Sequence, residues 1–88
     1  MIDVQYLFNE YRVAQSSVIE LSNSKPYQIK QLTQKLVSNR LIPEPYSINT
    51  GTFYTESEFI ALAKHLNISS ADYESVMTAF QYARDLNR

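Results

Sequence analysis

The 88-residue sequence predicts a mainly α-helical fold with one small β-hairpin. Over most of the chain, apolar residues recur every three or four positions, which is typical of amphipathic helices. The single glycine, Gly51, lies between two short stretches of alternating residues, which is typical of a hairpin turn. The predicted order is therefore helix, helix, hairpin, helix, helix, in a single domain that covers residues 1–88.

The first predicted helix begins near Asp3, a plausible N-cap, and ends near Asn23. Its apolar positions recur at helical spacing and are Val4, Leu7, Phe8, Tyr11, Ala14, Val18 and Leu21. Turn-forming residues at 22–25, followed by Pro26, predict its end.

The second predicted helix covers residues 26–39, and its polar face lacks carboxylates. Residues 25–40 contain four of the chain's eight basic residues and no acidic residue, although the formal net charge is -1. An acid-free helix rich in Lys and Gln can approach a phosphate backbone and read base edges. The alternative interpretation is an ordinary solvated face, or one whose cations pair with acidic neighbours such as Glu10, Glu20 or Asp72.

The second half of the chain contains the predicted hairpin and two further helices. Pro43 and Pro45 end the helical periodicity, and the strands of the hairpin follow on either side of residues 49–51. Thr55 begins the third helix with a capping-box pattern that includes Glu58. A serine at position 69 or 70 caps the fourth helix.

The composition argues against an enzyme and against a bound cofactor or metal. Cysteine is absent, which excludes a disulfide, a thiolate nucleophile and a Cys-ligated zinc ion. The single histidine, His65, is predicted to be an exposed flanking residue, and capping explains Glu56 and Glu58. The sequence therefore predicts no catalytic, cofactor-binding or metal-binding residues and no small-molecule substrate.

The N-terminal residues lack the features of a signal peptide. No apolar stretch approaches the roughly 18 residues that a membrane span requires. The sequence therefore predicts a cytoplasmic protein with no membrane partner.

Several landmarks occur in order between residues 20 and 62. They are Glu20-Leu21, Ile29-Lys30-Gln31-Leu32, Leu41-Ile42-Pro43-x-Pro45, Gly51 and Tyr54-Thr55-Glu56. This series resembles the winged helix-turn-helix DNA-binding unit of MerR-type regulators and phage excisionases. The resemblance implies a winged-helix-like fold of four helices plus a two-stranded wing. The chain departs from the family pattern because it has no basic residue between Leu41 and Ala63 and no glycine in the turn before the second helix.

The resemblance implies that the second helix contacts duplex DNA. The predicted nucleic-acid-binding residues are Lys25, Lys30, Gln31, Gln34, Lys35 and Arg40, with Lys25 and Arg40 on the DNA backbone at the two helix ends. The predicted function is that of a small non-enzymatic DNA-binding accessory or transcriptional regulator. About four to six phosphate contacts per monomer is a small number, so a homodimer or a partner protein is also predicted, with Tyr6 and Ile19 of the long first helix at the interface.

A second class of function is a protein-interaction inhibitor, immunity protein or adaptor that blocks a partner protein without contacting nucleic acid. Net acidity and tyrosines outside the apolar stripes favour this class. The predicted protein-interface residues are Tyr6, Tyr27, Tyr46 and Tyr82.

Overall fold

The computed structural model of the protein describes residues 2–86. The elements, in chain order, are β1 (Val4–Leu7), β2 (Glu10–Ala14), α1 (Gln15–Ser22), α2 (Pro26–Ser38), β3 (Tyr46–Ile48), β4 (Gly51–Thr55), α3 (Glu56–Ala63) and α4 (Ser70–Leu86). The four strands form one antiparallel sheet in the order β1-β2-β4-β3.

The predicted fold class, mainly α with a two-stranded wing, is wrong. The structure is 54% helical and 20% strand, and its sheet has four strands. Residues 4–14, predicted as part of a long first helix, instead form the β1–β2 hairpin, so the first helix begins only at Gln15. The predicted homodimer contact on that long helix therefore loses its structural basis.

The β1–β2 hairpin turns at Phe8 and Asn9, whose φ angles are 52° and 62°. Positive φ at both central residues is the requirement of a type I′ turn. The register pairs Val4 with Val13 and Tyr6 with Tyr11, so β-branched and aromatic residues alternate along both strands on one face. This cross-strand pairing overrides the helical spacing of the same segment.

The second helix, the second hairpin and the two C-terminal helices are confirmed close to their predicted bounds. Gly51 has a φ of 139°, a conformation that suits glycine. The capping box is present: Thr55 Oγ1 accepts a hydrogen bond from the Glu58 N–H, and Glu58 Oε1 accepts one from the Thr55 N–H at 2.9 Å.

The core lies between the helices and the sheet face that carries Val13 and Tyr54. Its buried members come from β2, β4 and all four helices, with one further residue from the loop after α2. They are Val13, Val18, Ile29, Leu36, Ile42, Tyr54, Phe59, Leu62, Val76 and Phe80. Among the described residues, no helix is both long and apolar enough to cross a membrane.

Candidate nucleic-acid interface

A short turn connects α1 to α2. Asn23 follows α1 in the left-handed conformation, with φ 52° and ψ 37°, and the Ser24 N–H donates to the Ile19 carbonyl at 3.2 Å. Asparagine tolerates this conformation better than most residues, so it takes the place of the missing glycine. Pro26 occupies the first turn of α2, where its lack of an N–H costs little. Residues 23–25 thus form a three-residue turn between two helices.

A chain of buried hydrogen bonds attaches α2 to β4 and to the start of α1. Gln15 Nε2 donates to Tyr54 Oη at 2.8 Å, and Tyr54 Oη lies 2.7 Å from Thr33 Oγ1. Thr33 Oγ1 in turn donates to the Ile29 carbonyl at 2.8 Å, so the proton between the two hydroxyls belongs to Tyr54. Burial raises the pKa of Tyr54 above its ordinary value of 10.0. This hydrogen-bond chain fixes how α2 is presented to solvent.

We expect Tyr54→Phe to lower the free energy of unfolding by about 1 to 2 kcal/mol at neutral pH, because Gln15 and Thr33 lose a buried partner. The pKa of Tyr54 is higher in the folded state, so the unfolded chain releases this proton first as pH rises above 10.0. The wild-type protein should therefore lose stability above that pH. Urea denaturation of both proteins at about pH 8 and about pH 10.5 measures the effect. A difference between them that does not shrink at the higher pH would contradict the prediction.

All six residues predicted to bind nucleic acid are exposed. The opposite side of α2 is buried and carries Ile29, Thr33 and Leu36. At 3.6 residues per turn, Lys30 and Lys35 lie about 140° apart around the helix axis, with Gln31 and Gln34 between them. This face therefore has hydrogen-bonding amides along its centre and one cation on each flank.

Among residues 2–86, the cations of this face form no ion pair with a carboxylate. Arg84 Nη1, on α4, does pair with Glu56 Oε1, at 2.9 Å. Lys30 and Lys35 are thus not paired with Glu10, Glu20 or Asp72, in contrast to the ion-paired alternative. Their charges are available to an external anion.

The two ends of α2 carry the remaining predicted cations. Lys25 is the N-cap, and its N–H donates to Gln28 Oε1 at 2.8 Å. Arg40 follows α2 in the left-handed conformation, with φ 60°, while the Leu41 N–H donates to the Leu36 carbonyl at 2.9 Å. Glycine is the usual residue at such a helix end, so the chain keeps an arginine there at a conformational cost.

A groove of about 210 Å³ separates α2 from the β3–β4 hairpin. Lys30 and Gln34 line it on the helix side. Ser47 and Thr52 line it on the hairpin side, where their hydroxyls are 3.0 Å apart. Glu44 also lines the groove and contributes a negative charge. The hairpin thus offers neutral hydrogen-bonding groups rather than cations.

The four predicted protein-interface tyrosines lie on four different elements. Tyr6 on β1, Tyr27 on α2 and Tyr82 on α4 are 58%, 56% and 64% exposed. Tyr46 on β3 is half-buried, and its ring stacks on Phe8. Tyr27 shares a helix face with Gln31 and Gln34, since it precedes them by four and seven residues. It therefore belongs to the predicted nucleic-acid face.

The sequence prediction missed Phe8, which is 74% exposed at the β1–β2 turn. The helical interpretation assigned it to an apolar stripe. The alternation of Val4 and Tyr6 before it, and of Tyr11 and Val13 after it, was the signal for two strands with a turn between them.

Within residues 2–86, no group of three or more His, Cys, Asp or Glu side chains could hold a metal ion. The chain matches no protein-family model, no curated protein and no solved structure.

Proposed function

We propose that the protein is a small, non-enzymatic, cytoplasmic DNA-binding accessory or transcriptional regulator that inserts α2 into the major groove. The observation that carries this proposal is the exposed, acid-free face of α2, on which Lys30 and Lys35 have no carboxylate partner among the described residues. A helix of this kind can approach the phosphates of both strands, because its flanks are cationic and its own polar face carries no carboxylate; the one negative charge beside it is Glu44, which lines the groove next to Lys30.

The connection between α1 and α2 supports the proposal. In a helix-turn-helix unit, the first helix crosses the DNA backbone and the second lies in the major groove. Here a three-residue turn separates the two helices, and the Tyr54 hydroxyl fixes the second against the sheet. A rigid support of this kind is what precise contact with base edges requires.

The side chains of α2 divide between two roles in this proposal. Gln31 and Gln34 lie at the centre of the face, where a glutamine amide can form two hydrogen bonds to an adenine edge. Lys30 and Lys35 contact phosphates on either side of the groove, and Lys25 and Arg40 contact phosphates beyond the helix ends. Sequence discrimination therefore comes from the two glutamines and affinity from the four cations.

We expect a fluorescence titration with a pool of short random duplexes to show binding that weakens steeply with salt. Four phosphate contacts give a slope of about -3 to -4 when the logarithm of the association constant is plotted against the logarithm of salt concentration. Such a slope would justify the selection of a specific site. Absence of binding even at low salt would refute the proposal.

The competing proposal is a binder of proteins alone, favoured by the net charge of -1 and by exposed Tyr82 on α4. The two proposals differ in the titration, since a protein-only binder does not respond to duplex DNA at any salt concentration. In that outcome, the search for a function moves to partner proteins.

A further inference from the structure

We propose that the tip of the β1–β2 hairpin docks a partner protein that presents an apolar pocket bordered by Lys or Arg side chains. The docking surface, here called the Phe8 patch, consists of Phe8, Tyr46, Glu10 and Glu44, and the buried Arg12 packs on Tyr46. The proposal does not depend on DNA binding by α2, because the patch shares no residue with the predicted nucleic-acid face.

The first argument is the conformation and exposure of Phe8. Its side chain is 74% exposed, although burial of a phenylalanine is strongly favoured. Its φ of 52° is in the left-handed region, which is strained for a bulky residue. A type I′ turn favours Asn or Gly at this position. A phenylalanine that adopts a strained conformation and leaves most of its side chain in solvent is available for contact with another molecule.

The second argument is that the exposed ring is held in place. Phe8 stacks on Tyr46 with centroids 5.4 Å apart and ring planes 12° from parallel. The Arg12 guanidinium lies 5.3 Å from the centroid of the Tyr46 ring, and Arg12 Nε donates to the Leu7 carbonyl at 2.9 Å. Phe8 thus projects from a fixed support. Rigid aromatic side chains beside an arginine are typical of residues that dominate binding energy at protein interfaces.

The third argument is charge, which selects the class of partner. A cleft of about 520 Å³ is lined by Arg12 and by four glutamates. Two of these are already engaged, since Glu56 pairs with Arg84 and Glu58 caps α3. Glu10 and Glu44 are exposed and have no cationic partner among the described residues. Their charges attract Lys or Arg side chains and repel the phosphates of DNA.

The same charges disfavour a second copy of this chain as the occupant. In a two-fold symmetric contact the same patch meets itself, so Glu10 and Glu44 would approach the carboxylates of the other copy. Like charges across an interface are unfavourable. The complementary occupant is therefore a different protein with an apolar pocket for Phe8 and cations around it.

Selection of a random peptide library displayed on phage against the full chain tests the proposal. We expect the enriched peptides to combine aromatic or aliphatic residues with Lys or Arg. Phe8→Asn should weaken their binding at least about tenfold, and Glu10→Gln and Glu44→Gln by a smaller factor of about three. The matched control is Leu86→Ala, which removes an exposed apolar side chain from α4 and should leave binding unchanged. Enriched peptides that lack basic residues, or that bind Phe8→Asn equally well, would overturn the proposal.

Thermal unfolding of Phe8→Asn separates docking from a structural role. Asparagine relieves the strain at φ 52°, so the unfolding midpoint should rise by about 2 to 5 °C. A fall in the midpoint would mean that Phe8 is retained for its packing on Tyr46, which overturns the proposal. Sedimentation of the wild-type protein and of Phe8→Asn tests self-association. A wild-type dimer that dissociates in Phe8→Asn would identify a second copy of the chain as the occupant, which would also overturn the proposal.

Discussion

The double substitution Lys30→Glu and Lys35→Glu should reduce affinity for duplex DNA at least about 100-fold at low salt while the protein remains folded. Both side chains are exposed on α2 and form no ion pair within the part of the chain that the structure describes, so their loss removes no ion pair that stabilises it. Each reversal removes a phosphate contact and adds a repulsive charge. Fluorescence titration measures the affinity, and urea denaturation measures the stability.

The position of the charges, rather than their number, is what this experiment must isolate. Lys64 provides the matched control because it is an exposed lysine that follows α3, outside the nucleic-acid face. Lys64→Glu changes the net charge as much as either single reversal on α2. Equal losses of affinity in Lys64→Glu, Lys30→Glu and Lys35→Glu would indicate a general charge effect and would contradict the role of α2. A large loss of stability in the double variant would instead show that these cations support the fold.

The parts of the fold that the sequence predicts correctly are those with a local chemical signal. Pro26 and the apolar spacing define α2, Gly51 indicates the β3–β4 turn, and Thr55 with Glu58 defines the start of α3. Each signal acts within a few residues, so it is readable without the tertiary structure. The bounds of these elements accordingly agree within a few residues.

The β1–β2 hairpin was not predicted because its turn lacks a local sequence signal of this kind. Phe8 and Asn9 occupy a turn in which Asn-Gly is the common pair, so the strongest local indicator of a hairpin is missing. The stability of the two strands comes from pairing with each other and with β4, and β4 is distant in the sequence. In addition, apolar residues alternate along each strand, and the alternation shifts by one position at the turn. Some apolar residues of the two strands therefore fall three or four positions apart by coincidence, as they would in a helix.

The candidate nucleic-acid face shows the same division between local and tertiary information. The exposure of Lys30 and Lys35 follows from the helical period of α2 alone. The groove beside the β3–β4 hairpin, the Gln15–Tyr54–Thr33 hydrogen bonds and the Phe8–Tyr46 stack depend on how distant segments meet. No pattern within one element contains that information.

Val13→Asp should strongly destabilise the chain, and it tests the corrected N-terminal fold. Val13 lies near the C-terminal end of β2, is fully buried, and pairs with Val4 on one side and Tyr54 on the other. A buried carboxylate without a partner costs about 3 to 5 kcal/mol. The total stability expected for a chain of this size is about 4 to 13 kcal/mol. A large fall in the midpoint of the urea transition, followed by circular dichroism, is the expected result.

Two further variants test whether the destabilisation comes from the buried position of Val13 in the sheet or from a general sensitivity of the protein to substitution. Tyr6→Asp introduces the same charge on the neighbouring strand at a side chain that is 58% exposed, so its urea midpoint should stay close to that of the wild-type protein. Val13→Thr keeps the shape of the side chain and buries a hydroxyl, which should cost about 1 to 3 kcal/mol in a protein that still folds. A long first helix predicts the opposite pattern, because Val13 lies off its apolar stripe while Phe8 lies on it. If the protein tolerates Val13→Asp and is severely destabilised by Phe8→Asn, the long first helix is correct. If Val13→Asp is the destabilising change and Phe8→Asn is tolerated, the β-hairpin is correct, because its buried face carries Val13 and its exposed turn carries Phe8.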